Sequence, residues 1–226
     1  MADQVFRNRT EAGRALARVL AGFADRPDVI VLALPRGGVP VAFEVAEALH
    51  LPLDVFIVRK LGVPGREEYA MGALASGGEQ VINEKVLRLL DIPQHAVDAV
   101  IESEQRELER RERLYRDGRA PIDVRGRTVI LVDDGLATGS TMFAAVKALR
   151  RQQPAHVAVA VPAAAADTSE ALKKEADAVI CVAMPEPFRA VGLWYEDFSQ
   201  TSDEEVCELL ARARRDASDT LQGGRP

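Results

Sequence analysis

Two adjacent acidic residues, Asp133 and Asp134, stand just before a short run of small and hydroxylated residues. This run, called here the hydroxyl loop, consists of Ala137, Thr138, Gly139, Ser140 and Thr141. Its glycine lets the backbone approach an anion closely, and its hydroxyl groups can donate hydrogen bonds at the same point. Adjacent carboxylates beside an anion site are electrostatically unfavourable unless they have a role such as accepting hydrogen bonds from a sugar diol. The segment therefore predicts a site for a ribose 5-phosphate.

The flanking sequence supports a phosphate site at the start of a helix. An apolar run at residues 129–132 predicts a buried strand before the acid pair, and helical spacing predicts a helix over residues 140–150. Free N–H groups and the positive end of the helix dipole would then face the anion. Other phosphate loops fit less well, because Gly139 stands where a Walker loop needs Lys, and no G-x-G-x-x-G opens a helix. A plain helix cap would need one hydroxyl rather than this set.

The elements that must position this site alternate between strand and helix signals. Short apolar runs predict strands at residues 29–34, 53–58, 128–132, 156–161 and 178–182. Besides the helix over residues 140–150, helices are predicted at residues 10–23, capped by Thr10, and at residues 41–49 and 169–176. This alternation predicts an α/β fold with a mostly parallel central sheet flanked by helices. Ligands bind at the carboxyl ends of the strands in such sheets, which is where the acid pair falls.

Two further segments are candidates for function. Pro35-Arg36-Gly37-Gly38 follows the first strand and predicts a tight turn, and it is called here the Pro-Arg-Gly-Gly loop. Residues 59–69 begin with Arg59-Lys60 and are rich in glycine and charge, so they predict a long surface loop of the kind that often serves as a lid. Residues 71–82, interrupted by Gly77-Gly78, predict a hairpin.

We predict a single domain with a core at residues 28–182, an inserted segment at 84–119 and a C-terminal appendage at 183–220. The inserted segment is highly charged, but its apolar residues recur at helical spacing, so it predicts a long helix laid on the domain. That helix is either a solvated surface element or part of a dimer interface. The appendage contains an aromatic segment, residues 185–198. It acts either as a hood that stacks on a planar acceptor or as core packing, through Trp194, Tyr195 and Phe198.

Composition excludes several classes of function. The 226 residues carry a formal net charge of −6, so there is no global positive field to recruit nucleic acid or an anionic membrane. Cys181 and Cys207 lack metal-ligand or disulfide spacing, which indicates reduced thiols. With neither a signal peptide nor a membrane-length apolar run in the sequence, we expect a soluble cytoplasmic protein.

Residues 129–141 resemble the ribose-phosphate signature of the type I phosphoribosyltransferases, and the Asp-Asp-Gly-Leu-Ala-Thr-Gly-Ser-Thr core is most similar to the adenine branch. The Pro-Arg-Gly-Gly loop resembles the pyrophosphate loop of that family, and Arg59-Lys60 resembles the start of its flexible catalytic loop. The resemblance covers roughly residues 28–182. It is strongest to bacterial phosphoribosyltransferases whose acceptor is undefined.

The resemblance implies binding of 5-phosphoribosyl 1-pyrophosphate and a role for each motif. Asp133 and Asp134 would bind the ribose hydroxyls and stabilise positive charge at the anomeric carbon, and the hydroxyl loop would hold the 5-phosphate. The pyrophosphate would be bound by Arg36 with the backbone of Gly37 and Gly38, and its charge neutralised by Lys60 or Arg59. Magnesium would bind mostly through ligand oxygens and water, with Asp133 and Asp134 as the protein groups nearest to it.

The acceptor stays open at this point. Hypoxanthine-type enzymes carry an acid where this chain has Ala137, so Glu67 or Glu68 is the candidate general base. The resemblance suggests a nitrogenous, nucleobase-like acceptor and a homodimer. Two alternatives are a protein that senses phosphoribosyl pyrophosphate without catalysis and a phosphohydrolase that holds metal through the acid pair. Intact Arg36 and Lys60 favour the transferase over the sensor, and the lack of a further carboxylate or His cluster disfavours the hydrolase.

Overall fold

The computed structural model describes residues 6–223, apart from the side chains of residues 68 and 216–223. Its strands are β1 Val29–Ala33, β2 Leu53–Val55, β3 Val58–Val63, β4 Arg66–Ala75, β5 Glu79–Ile82, β6 Thr128–Val132, β7 His156–Ala163 and β8 Ala178–Ala183. Its α-helices are α1 Arg9–Val19, α2 Gly38–Leu49, α3 Glu84–Leu89, α4 Gln94–Arg116, α5 Ser140–Arg151, α6 Ala166–Leu172 and α7 Asp203–Gly223. Five strands form a parallel sheet in the order β2-β1-β6-β7-β8. The predicted α/β fold with a mostly parallel central sheet is confirmed.

The central strands are apolar because both faces of the sheet are covered. Every residue of β1 and β6 is buried, and successive side chains enter opposite hydrophobic clusters, with Val31 in one and Ile30 in the other. Residues of α1, α2, α4 and α7 pack in the first cluster, and residues of α5 and α6 pack in the second. The helices therefore cover the two faces of the sheet, and its carboxyl edge remains available for a functional site.

The prediction of a long surface loop over residues 59–69 is wrong. This stretch forms β3 and the start of β4, which pair with β5 in a separate antiparallel sheet. Leu61 and Val63 are buried, and the charged residues around them lie on a strand that turns at Gly65, where φ is 75°. A few apolar residues are enough to form these strands because one face of the antiparallel sheet packs on the domain. The hairpin predicted at residues 71–82 is confirmed as β4 and β5.

The predicted helix boundaries need several corrections. Asn8 rather than Thr10 caps α1, since its side chain accepts a hydrogen bond from Glu11 N at 3.0 Å. The second helix starts at Gly38, before the predicted Val41, and α6 starts before the predicted residue 169. The long helix predicted within the charged stretch 84–119 is confirmed as α4, and a shorter helix, α3, precedes it. α7 begins after Ser202, whose Oγ accepts a hydrogen bond from Glu205 N at 3.1 Å and caps the helix start.

A buried ion pair fastens α4 to the central sheet. Arg116, at the end of α4, donates to both carboxylate oxygens of Asp54 in β2 at 3.2 Å and to Val55 O at 2.7 Å. Both side chains are buried. The inserted helix is therefore fixed against the edge strand of the sheet. Within the described part of the chain, no helix has the length and apolar character needed to cross a membrane.

Candidate active site

The acid pair and the Pro-Arg-Gly-Gly loop lie side by side at the carboxyl edge of the sheet. β1 and β6 pair in parallel, with Ala33 opposite Val132, so the residues that follow each strand emerge at the same edge. Leu34 N donates to Val132 O at 2.9 Å, and Gly38 N donates to Leu34 O at 3.1 Å. The peptide bond between Pro35 and Arg36 is cis. Residues almost a hundred positions apart in the chain thus form one local surface.

Glycine is required at both positions of this contact. An ideal Cβ on Gly37 would lie 2.0 Å from Oδ2 of Asp134, and one on Gly38 would lie 2.8 Å from Val132 O. A side chain at Gly37 would displace the Asp134 carboxylate, and one at Gly38 would require the backbone at Val132 to move. The two glycines therefore bring the loop directly onto the acid pair, and their backbone groups stand beside the two carboxylates.

Burial and mutual repulsion shape the electrostatics of the acid pair. Burial, and then the neighbouring Asp134 carboxylate, raise the pKa of Asp133 well above its usual range. Burial also raises the pKa of Asp134, although Arg9 opposes this rise. Asp133 Oδ1 accepts a hydrogen bond from Asp134 N at 2.9 Å. Both acids are thus held in a low-dielectric corner where a ligand bearing hydroxyl donors or cationic charge would be favoured.

Arg9 and Tyr195 contact the acid pair, and sequence reasoning missed the role of both. Arg9 donates from Nε and Nη2 to Asp134 Oδ2, each at 2.9 Å. Tyr195 Oη donates to the main-chain oxygen of Asp134 at 2.6 Å. Arg9 opens an amphipathic helix and carries no motif, so no sequence signal pointed to it. Tyr195 was noted only as an aromatic residue.

The hydroxyl loop leads from β6 into α5 as predicted. Gly139 precedes the helix with φ of 71°, and no side-chain hydrogen bond caps the helix start. Thr138 and Ser140 are exposed, with their hydroxyl oxygens 3.3 Å apart, and Ala137 O accepts from Thr168 Oγ1 at 2.6 Å. The hydroxyl groups and the uncapped helix start therefore open to solvent, where an anion could bind.

Arg36 lies between the acid pair and the C-terminal helix. Its Nη1 is 3.8 Å from Oδ1 of Asp203, the first residue of α7. Asp203 also accepts a hydrogen bond from Tyr115 of α4 at 2.6 Å. The Arg36 side chain is 32% exposed and remains available to an anionic ligand. No sequence motif links Asp203 to Arg36 or to Tyr115, because these contacts are entirely tertiary.

Arg59 and Lys60 point to different places because they are successive residues of β3. Arg59 is bound to Glu104 of α4, with Nη2 to Oε2 at 2.6 Å and Nε to the same oxygen at 2.7 Å. Lys60 lines a cleft of about 650 Å³ between the antiparallel sheet and α5, and Ser140 and Thr141 line the same cleft. The structure thus brings Lys60, but not Arg59, to the start of the hydroxyl-loop helix.

The same cleft holds cations that sequence reasoning missed. They are Lys85, Arg88 and Lys147. Lys85 and Arg88 come from α3 and Lys147 from α5, so their convergence depends on how the antiparallel sheet packs. Glu84 is the acidic residue in this lining, and the balance of charge is therefore positive beside Ser140 and Thr141.

The remaining candidates divide between core and surface. Tyr195 is buried against Phe6, with ring centroids 5.7 Å apart, whereas Phe198 is 37% exposed. Trp194 is partly buried and stacks on Phe188 at 6.0 Å. Glu67 is exposed on β4 and lines a second cleft with Arg59 and Lys60, while the side chain of Glu68 lies outside the described residues. Tyr195 thus has the predicted core-packing role, whereas a hood that stacks on a planar acceptor stays a prediction.

The carboxylates at this edge suit a magnesium ion that keeps most of its ligands from water or substrate. Mg²⁺ prefers oxygen ligands and binds through one or two carboxylates plus phosphates. Asp133 and Asp134 offer carboxylate oxygens beside the Pro-Arg-Gly-Gly loop. Over residues 6–223 there is no cluster of three or more His, Cys, Asp or Glu placed to hold a metal by itself.

The parallel sheet, with its acid pair and glycine loop at the carboxyl edge, defines an α/β protein of type I phosphoribosyltransferase architecture. The family model for the phosphoribosyl transferase domain matches residues 1–195. The chain belongs to this family.

Known relatives agree with that assignment. TT1426 from Thermus thermophilus has a crystal structure that is 42% identical, covers 92% of this chain and 98% of that one, and superposes with a TM-score of 0.80. The predicted phosphoribosyl transferases Rv0571c and MT0597, from two strains of Mycobacterium tuberculosis, are each 46% identical over 213 residues, which is 94% of this chain. The match spans 48% of each mycobacterial protein, so this chain covers about half of their length.

Proposed function

We propose that the protein transfers the ribose 5-phosphate of 5-phosphoribosyl 1-pyrophosphate to a nitrogenous, nucleobase-like acceptor and releases pyrophosphate. The observation that carries this proposal is the contact between Gly37 and Asp134. It places a glycine loop suited to pyrophosphate directly against carboxylates suited to the ribose diol. The hydroxyl loop continues from the same strand end, so the two phosphate sites would flank the sugar.

Each step of the proposed reaction has a candidate group. The bond between the anomeric carbon and the pyrophosphate oxygen breaks, with its electron pair leaving on pyrophosphate, and a bond to the acceptor nitrogen forms. Asp133 and Asp134 accept hydrogen bonds from the ribose hydroxyls and stabilise the positive charge that develops on the sugar. Arg36 and the backbone of Gly37 and Gly38 bind the departing pyrophosphate. Lys60, which lines the same cleft as Ser140 and Thr141, supplies a further positive charge.

The proton of the acceptor nitrogen must go to a base. Glu67 is our candidate, with Glu68 as the neighbouring alternative, because both belong to the antiparallel sheet that carries Lys60. Asp133 and Asp134 would hold a Mg²⁺ ion together with water, and the ion would supply positive charge for the departing pyrophosphate.

Calorimetry with 5-phosphoribosyl 1-pyrophosphate and Mg²⁺ is the first test, followed by a panel of nitrogenous bases with pyrophosphate release as the readout. Binding together with release on one of the bases is the expected result. Binding without release on any base would favour the sensing role, and no binding at all would refute the ribose-phosphate site. Ribose 5-phosphate is the matched control ligand, because it tests the hydroxyl loop without the pyrophosphate contacts.

A further inference from the structure

Arg9 occupies a position that joins three parts of the molecule. It begins α1, its Nε and Nη2 reach Asp134 Oδ2 at 2.9 Å, and its Nη1 donates to Ser199 O at 2.7 Å. The guanidinium carbon lies 4.0 Å from the ring centroid of Phe198. Its side chain is only 12% exposed, which means that this arginine is held from every side.

We propose that Arg9 is a positioning residue of the ribose site, which fixes the Asp134 carboxylate in the orientation that the sugar diol requires. This inference rests on the proposed function. Arg9 acts through Asp134 rather than on the substrate, and it is contributed by a segment outside the motifs that define the site.

The geometry supports a positioning role because Arg9 contacts one oxygen of the Asp134 carboxylate and leaves the other available to a ligand. Two N–H groups of one guanidinium converge on a single oxygen of Asp134, which leaves Oδ1 to a sugar hydroxyl in the proposed complex. A planar, permanently charged fork restrains the carboxylate plane as well as its charge, which a lysine cannot do. Gly37 approaches the same oxygen, so any rotation of Asp134 would disturb the Pro-Arg-Gly-Gly loop.

Arg9 also connects the sugar site to the aromatic segment. Phe198 stacks on its guanidinium, Ser199 accepts its third hydrogen bond, and Tyr195 donates to the Asp134 main chain. A purely structural role for Arg9 would act through these contacts alone. It would lower thermal stability without changing ligand affinity in the folded protein, and this difference makes the two roles separable.

The test compares Arg9→Met and Arg9→Lys with the wild type and with Arg14→Met. Arg14 is the matched control because it lies on the same helix and also pairs with an acid, Glu44, at 2.8 Å, but at the surface. Affinity for 5-phosphoribosyl 1-pyrophosphate in Mg²⁺ is measured by calorimetry well below the melting temperature of each variant, which is measured in parallel.

For Arg9→Met we expect affinity to fall about tenfold or more, because the Asp134 carboxylate loses the two charge-assisted hydrogen bonds that orient it. Arg9→Lys should lie between Arg9→Met and the wild type, and Arg14→Met should match the wild type. An Arg9→Met protein with the wild-type affinity would overturn the inference, as would a loss that appears only as the protein approaches its melting temperature. If Arg9→Met does not fold, Arg9→Lys decides by the same affinity criterion. Failure of the wild type to bind would instead refute the proposed function.

Discussion

Among the described side chains, two arginine–aspartate pairs are largely buried, and they differ in what else the aspartate contacts. Asp54 receives Arg116, Val55 N and Ile122 N, so both of its oxygens are engaged by the protein. Asp134 accepts hydrogen bonds from Arg9 on one oxygen and lies next to Asp133, a second and more deeply desolvated acid. Both carboxylate oxygens of Asp54 therefore have hydrogen-bond donors within the protein. Asp134, at the edge of the sheet, can still accept hydrogen bonds from a ligand. Unused hydrogen-bonding capacity in a buried corner is what distinguishes a candidate site from a structural tie.

The largest expected effect is on ligand binding at the acid pair, Asp133 and Asp134. Replacing both acids, Asp133→Asn with Asp134→Asn, should abolish turnover and weaken binding of 5-phosphoribosyl 1-pyrophosphate by roughly a hundredfold or more, since charge-assisted hydrogen bonds contribute about 1.5–3 kcal/mol each. Calorimetry gives the affinity and circular dichroism reports the fold. Wild-type affinity in the folded double variant would remove the ribose role from these residues.

Breaking the pair of Arg116 and Asp54 should instead lower the stability of the fold. Arg116→Met leaves Asp54 buried without its charge partner, so the free energy of unfolding should fall by about 3–5 kcal/mol, as it does when buried pairs are broken. Denaturant unfolding measures the change, and ligand affinity well below the melting temperature should stay at the wild-type value. Arg106→Gln, at an exposed pair on the same helix, is the control and should change little. A large loss of ligand affinity in a fully folded Arg116→Met protein would show that the two pairs do not differ in this way.

A smaller effect should separate two neighbouring cations. Lys60→Ala should weaken binding of 5-phosphoribosyl 1-pyrophosphate by about tenfold, because one charged contact is lost, and affinity for ribose 5-phosphate should also fall, since Lys60 lines the same cleft as Ser140 and Thr141. Arg59→Ala should leave both affinities near the wild type, since Arg59 is bound to Glu104 on α4. Equal losses in the two variants would show that the orientation of β3 does not decide which cation serves the ligand.

The smallest effect concerns stability and pH at the acid pair. The pKa of Asp133 is raised in the folded protein, so its ionisation above the unfolded value of about 4 costs stability, and the cost grows until pH passes the folded pKa. Asp133→Asn should therefore raise the melting temperature at pH 7, and this gain should disappear below pH 4. Thermal unfolding at both pH values measures it. A variant that is less stable at pH 7 would indicate that the carboxylate stabilises the fold.

Sequence patterns predicted the parts of the site that are contiguous in the chain. The acid pair, the hydroxyl loop and the helix after it follow from local composition, and the Pro-Arg-Gly-Gly turn follows from its glycines. The strand β3 and the start of β4 escaped prediction because residues 59–69 are dense in charge and glycine, and their few apolar residues become informative only when a surface covers them. Asn8 and Thr10 are both able to cap a helix, and only the backbone geometry chose Asn8.

What the sequence determined by itself was the α/β class and the strand–loop–helix that carries the acid pair, because apolar periodicity and turn chemistry are local properties. Only the tertiary structure decided which distant groups complete the site. Arg9 and Asp134 are separated by 125 positions, and no periodicity relates them. Their contact arises because α1 packs over the sheet beside the aromatic segment, so pairing at the site depends on three-dimensional packing rather than on any pattern along the chain.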